Sequence, residues 1–137
     1  MNIYEKALSL LKIRPHHSAE LTKKLLLRRF KKSEVEAVIG KLTQQKLLDN
    51  DQYAQTYLDN LIKYKTLGFY GLKAKLMQRG VAGQEAENLL KANFPPEKER
   101  EVALRLVERS GKMGKLKLAQ KLARKGFRSE IIRSSFG

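Results

Sequence analysis

Apolar positions along this chain recur at intervals of three and four, the spacing that gathers them on one face of a helix, and no clean two-residue alternation marks a strand. Tyr4, Ala7, Leu8 and Leu11 form a first stripe that stops before Pro15, because the residue preceding a proline avoids the helical region. Ser18 is placed to cap a second helix with the stripe Leu21, Leu25 and Leu26. Ser33 and Glu36 have capping-box spacing ahead of Val35, Val38, Ile39 and Leu42. The arrangement then recurs. Asp49 or Asp51 caps a helix carrying Tyr53, Ala54, Tyr57, Leu58 and Leu61, which Gly68 and Gly71 break. Leu72 and Leu76 lie on a helix ending at Gly80, and Ala86, Leu89 and Leu90 on another. Pro95 and Pro96 mark a boundary and a helix start, followed by Val102, Ala103 and Leu106. Leu118 and Leu122 run up to Gly126, and Ser129 is placed to cap Ile131, Ile132 and Phe136.

Three triplets of helices suggest a repeat, and the spacing supports one. Leu21, Leu25 and Phe30 correspond to Leu72, Leu76 and Val81, and to Leu118, Leu122 and Phe127, each set with gaps of four and five. The expected fold is all-α, with three tandem three-helix modules and about nine helices. The expected boundaries are 1–47, 48–94 and 95–137. A module of this size buries too little apolar surface to be secure alone, so neighbours should pack into a curved, elongated array.

Charge changes the picture more than composition does. The 137 residues carry 29 Lys and Arg against 14 Asp and Glu, a net charge of +15. That excess exceeds what solubility alone favours and points to a polyanionic partner. It is unevenly spread. Residues 1–47 hold 11 basic and 4 acidic side chains, residues 48–94 hold 6 and 5, and residues 95–137 hold 12 and 5, so the ends are strongly basic and the middle nearly neutral. Cysteine is absent and the longest aliphatic run is Leu25–Leu27, so disulfides, secretion and a membrane span are not expected and the cytoplasm is.

Candidate chemistry is sparse, and neither catalysis, a metal nor a cofactor is expected. His16 and His17 are adjacent, lack a ligand cluster, and suit an exposed loop before a helix. Asp49 and Asp51 are better suited to capping than to acid–base work. Gly68, Gly71, Gly80 and Gly83 lack the strand and spacing of a phosphate-binding loop. Tyr53 and Tyr57 belong to a core stripe, whereas Phe69 and Tyr70, in the Gly-rich turn, are candidates for a partner surface.

The segment "LLDNDQYAQTYLDN" at 47–60, followed by Gly68, Leu72, Leu76 and "RGV" at 79–81, resembles the central signature of the RecX family of recombinase regulators. "ALSLLKIRPHHSAELTKKL" at 7–25 is similar to that family's opening repeat. Asn50 stands where the family pattern has Asp, and "NLIKYKTLG" lacks an arginine often found late in the fourth helix. The resemblance implies three tandem three-helix repeats and no catalytic activity. It also implies binding in the groove of a RecA filament on DNA, which slows ATP hydrolysis, strand exchange or coprotease activity.

Two basic sets are expected to make that contact: Lys23, Lys24, Arg28, Arg29, Lys31 and Lys32 at one end, and Lys121, Arg124, Lys125, Arg128 and Arg133 at the other. Several weak contacts would add through effective concentration. The expected partners are a RecA filament and DNA bound without sequence preference, the protein itself being monomeric and away from membranes. A plain DNA-binding helical module and an adaptor for another acidic protein are the alternative functions.

Overall fold

The computed structural model describes residues 1–136; Gly137, the last residue of the expected third module, lies outside them. The described residues form nine α-helices and no strand: α1 (Ile3–Ile13), α2 (Ser18–Leu27), α3 (Lys32–Gln44), α4 (Asn50–Tyr64), α5 (Phe69–Gln78), α6 (Gly83–Asn93), α7 (Pro96–Arg109), α8 (Lys115–Arg124) and α9 (Ser129–Ser134). No helix among them is long and apolar enough to cross a membrane.

By packing, the chain divides into two compact units. The first comprises Met1–Thr56 with Arg79–Val81, and the second Tyr57–Gln78 with the chain from Ala82 on. In the first unit, Ala7 and Leu10 of α1, Leu21 and Leu25 of α2, and Val35, Val38 and Leu42 of α3 form one core with Leu48. Ile3, Tyr4, Leu8, Leu11, Phe30 and Ile39 pack against it while remaining partly exposed. Three helices of four turns or fewer are marginal alone in water, so this shared apolar face holds them together. In the second unit, α5 packs on α6, and α7 packs on α8 and α9. Leu58, Leu72, Leu76, Leu90, Phe94, Leu122 and Ile131 are its large fully buried aliphatic and aromatic side chains.

The repeat is visible in the backbone. Arg29, Gly80 and Gly126 each follow the second helix of a triplet, and each is left-handed, with φ of 67°, 101° and 85°. In the outer copies the Phe30 and Phe127 amides reach back to the Leu25 and Leu122 carbonyls, and those of Arg29 and Gly126 to Leu26 and Ala123, the bonding of a Schellman corner. The left-handed residue reverses the chain and turns the next apolar residue inward. That is why the gap of five follows the gap of four in every copy.

Helix starts depart from expectation. Ser18 is the first residue of α2, not its cap: its amide donates to Asn50 Oδ1 at 2.8 Å and its hydroxyl accepts from Asn50 Nδ2 at 2.7 Å. With both groups engaged, the capping task falls to His17, whose Nδ1 accepts from the Ala19 amide at 3.0 Å. The capping box at Ser33 and Glu36 does not form, because α3 begins two residues earlier, with Lys31 at the cap position and no side-chain cap. Ser129 likewise lies inside α9, after Arg128. Between the two candidate aspartates, Asp49 is the cap, accepting from the Gln52 amide at 3.1 Å. Gly71 does not break a helix but lies within α5, and Leu26 of the expected stripe is 42% exposed.

Candidate polyanion-binding corners

The first basic set straddles the corner between α2 and α3. Arg28 follows the last residue of α2, Arg29 is the left-handed residue, and Lys31 and Lys32 begin α3. All four are exposed, as is Lys23. Two lysines at the positive end of a helix dipole oppose helix stability, and the first amides of α3 have no side-chain cap. An anion at this corner would meet both the cations and the open amides. Lys24 is different: its Nζ lies 2.8 Å from His16 Nε2, so it is tied into the first unit.

The second set lies on α8 and α9 of the second unit. Arg124, Lys125 and Arg133 are exposed, while Lys121 donates to Ser110 Oγ at 3.1 Å. Arg128 has an internal role. Its Nε donates to Glu99 Oε1 at 2.6 Å, its backbone amide donates to Glu99 Oε2 at 3.1 Å, and its guanidinium lies 4.6 Å over the Phe69 ring. Eight of the eleven predicted cations therefore face solvent, and Lys24, Lys121 and Arg128 are held by the fold. The exposed eight make no salt bridge among the described residues. Phe69 is 5% exposed, so its ring serves the core, and of the predicted pair Tyr70 alone, at 57%, presents its ring to solvent.

Sequence reasoning missed the carboxylate that organises this region. Glu99 is fully buried, and its Oε2 also accepts from the Phe69 amide at 2.9 Å, so one side chain serves the starts of both α5 and α9. A signal was present: Glu99, Val102, Ala103 and Leu106 have the spacing of a single apolar face, and the acidic residue occupies its first position. Around it, the Gly68 amide donates to the Lys125 carbonyl at 3.0 Å and the Tyr70 amide to the Gly126 carbonyl at 2.9 Å. A Cβ on Gly71 would lie 2.2 Å from the Lys125 carbonyl oxygen, so only glycine admits this approach.

The histidines are likewise not in an exposed loop. His16 and His17 are buried, and His16 Nδ1 lies 2.9 Å from the Arg14 carbonyl. Burial, with Lys24 and Arg14 nearby, pushes His16 below its ordinary value of 6.5. Burial also lowers Lys24 and raises Tyr53. Glu20 receives a two-pronged hydrogen bond from Arg14, and Arg79 approaches to 3.5 Å. Burial alone would raise the Glu20 carboxyl, but the Arg14 hydrogen bonds and the surrounding cations outweigh it and hold the group below its ordinary range. No cluster of three or more His, Cys, Asp or Glu suited to a metal is found among the described residues.

Known proteins place this chain. No protein-family model matches it. The regulatory protein RecX of Chlorobium limicola is 33% identical over 85 residues, 62% of this chain and 54% of that one. The regulatory protein RecX of Treponema pallidum (strain Nichols) is 31% identical over 112 residues, 80% of this chain and 68% of that one. The chain belongs to the RecX family. A crystal structure of RecX from Lactobacillus salivarius has the same fold, with a TM-score of 0.85 over 97% of this chain and 91% of that one at 23% identity. The tandem helical repeat is thus shared within the RecX family, although the chain spans only about half the length of the Chlorobium relative.

Proposed function

We propose that this RecX-family protein is a non-enzymatic regulator, and in direction an inhibitor, of a RecA-type recombinase. It binds along the groove of the recombinase filament on DNA and slows ATP hydrolysis, strand exchange and coprotease activity. One observation carries the reading: three carboxylates are paired internally, Glu20 by Arg14 and Arg79, Glu99 by Arg128 and Glu87 by Lys73, while the corner cations are left facing solvent without an ion pair among the described residues. A filament groove presents phosphate and acidic protein surface together, and such cations suit both. On this reading the modules 1–47, 48–94 and 95–137 contribute separate weak contacts that add through effective concentration, Lys23, Arg28, Arg29, Lys31 and Lys32 from the first and Arg124, Lys125 and Arg133 from the third. The protein acts as a monomer in the cytoplasm.

Recombinase ATPase and strand exchange, followed with wild type and with Arg28, Lys31, Lys32, Arg124 and Lys125 reversed to Glu, test this. Wild type should slow both reactions, and the variant should lose about tenfold or more in potency while keeping its melting temperature. No effect of wild type would defeat the proposal. Binding to naked DNA equal to binding to filaments, with a steep salt slope in both, would favour a plain DNA-binding module instead.

A further inference from the structure

In the second unit, the C-terminal turns of α4 and α7 enclose an open groove of about 340 Å³ lined by Lys63, Tyr64, Arg105, Glu108 and Arg109. None of these residues belongs to the basic corners. We propose that this groove is a stacking subsite for single-stranded nucleic acid, with a base on Tyr64 and the adjoining phosphates on Lys63, Arg105 and Arg109. It stands on the groove alone and does not depend on the recombinase reading.

Three features point to this ligand. First, Tyr64 is 67% exposed, the most exposed aromatic side chain among the large hydrophobics of the chain, at the last position of α4 where packing does not require an aromatic. Its ring already attracts a cation, Lys63 Nζ lying 5.2 Å from the centroid, so an arriving base would find a π-face with a phosphate-binding ammonium beside it. Second, three cations and one carboxylate line the groove, leaving an excess of positive charge where the carbonyl end of a helix would ordinarily repel an anion. Arg105 counters that end directly, its Nη2 donating to the Ile62 carbonyl at 3.0 Å, which also fixes the guanidinium at the groove wall. Third, an aromatic face with flanking cations suits unstacked bases, whose faces are available, whereas a duplex offers only its phosphates to such a surface. Glu108 is the one unfavourable group, and it should weaken binding to any strand.

Fluorescence anisotropy of a labelled short oligothymidylate and of a duplex of equal length, with no recombinase present, tests the subsite. Tyr64→Ala should weaken oligothymidylate binding roughly 5- to 150-fold, the range expected for one stacked base, and leave duplex binding near wild type. Tyr64→Trp should keep the affinity and, as the only tryptophan in the chain, lose fluorescence when the strand binds. Arg105→Glu with Arg109→Glu should lower the salt slope on the single strand by about 0.7 for each phosphate no longer neutralised, and Glu108→Gln should tighten binding. Equal loss on single strand and duplex in Tyr64→Ala, wild-type affinity in that variant, or an unquenched Tyr64→Trp would each overturn the proposal. Because recombinase is absent, failure here is distinct from failure of the regulator reading.

Discussion

The second helix of the first triplet, α2, and that of the second, α5, begin in corresponding places, and the two units satisfy their first amides by different chemistry. In the first unit a neutral amide does it: Asn50 exchanges two hydrogen bonds with Ser18, and His17 accepts from Ala19. The charged groups nearby, Arg14, Glu20 and Arg79, are partly solvated, with side-chain exposures of 36%, 15% and 31%. In the second unit a fully buried carboxylate does it, Glu99 accepting from the Phe69 amide, the Arg128 amide and the Arg128 guanidinium. A neutral amide costs little to bury and can be replaced by water when lost. A buried carboxylate is worth keeping only while every partner is present, since removing it strands the Arg128 charge and two amides at once. The first junction is therefore tolerant and the second all-or-nothing.

The sharpest way to break this contrast is to remove each acceptor. Glu99→Ala is expected to cost ~3–5 kcal/mol, as for breaking a buried ion pair, whereas Asn50→Ala should cost about 1 kcal/mol, as for losing a cap. Urea denaturation of both variants measures the difference; equal losses would show that the two junctions do the same work with the same stakes. Next in size is the close approach at Gly71. Gly71→Ala drives a Cβ to 2.2 Å from a backbone oxygen and should cost about 1–3 kcal/mol. Gly40→Ala, in an exposed part of α3 with nothing within 4 Å, should instead stabilise by about 0.5–1 kcal/mol. Thermal melts of the pair should move in opposite directions.

The most gradual effect concerns pH and belongs to the first junction. The folded pKa of His16 lies below its ordinary 6.5, so folding favours the neutral ring. That stability is fully present above pH 6.5 and is lost as pH falls through the folded value, because the unfolded chain takes up the proton first. Glu20, also lowered, adds a second loss below its ordinary 4.5. Stability should therefore decline on acidification from pH 7.5 to 5.5 with at most one proton's slope, ~1.4 kcal/mol per pH unit. His16→Asn should flatten that decline, which chemical denaturation at several pH values would register.

Much of the architecture was legible in the residues. The gaps of four and five predicted the three corners, and a single left-handed backbone residue explains them in every copy. The apolar stripes predicted the core closely because burial of a helical face depends on spacing that the chain carries in itself. Capping was less legible. Ser18, Ser33 and Ser129 are all favourable caps by local preference, and all three lie inside their helices. At Ser18 and at α9 the reason is tertiary, since a residue 32 positions away occupies the Ser18 groups and Glu99 holds the amide before Ser129.

The candidate surface divides in the same manner. Net charge raised the expectation of a polyanionic partner, and charge counting found both basic ends, but it could not separate cations that face solvent from those held inside. Lys24, Lys121 and Arg128 look like their neighbours in one dimension; their partners His16, Ser110 and Glu99 lie 8, 11 and 29 residues away. The same holds for the Tyr64 groove, whose walls come from α4 and α7. What the sequence determined by itself was everything set by short-range spacing: helices, corners, core stripes and net charge. Only the tertiary structure decided which polar groups are consumed by folding, because a hydrogen bond or ion pair depends on atoms within about 3 Å in space and not on their separation along the chain.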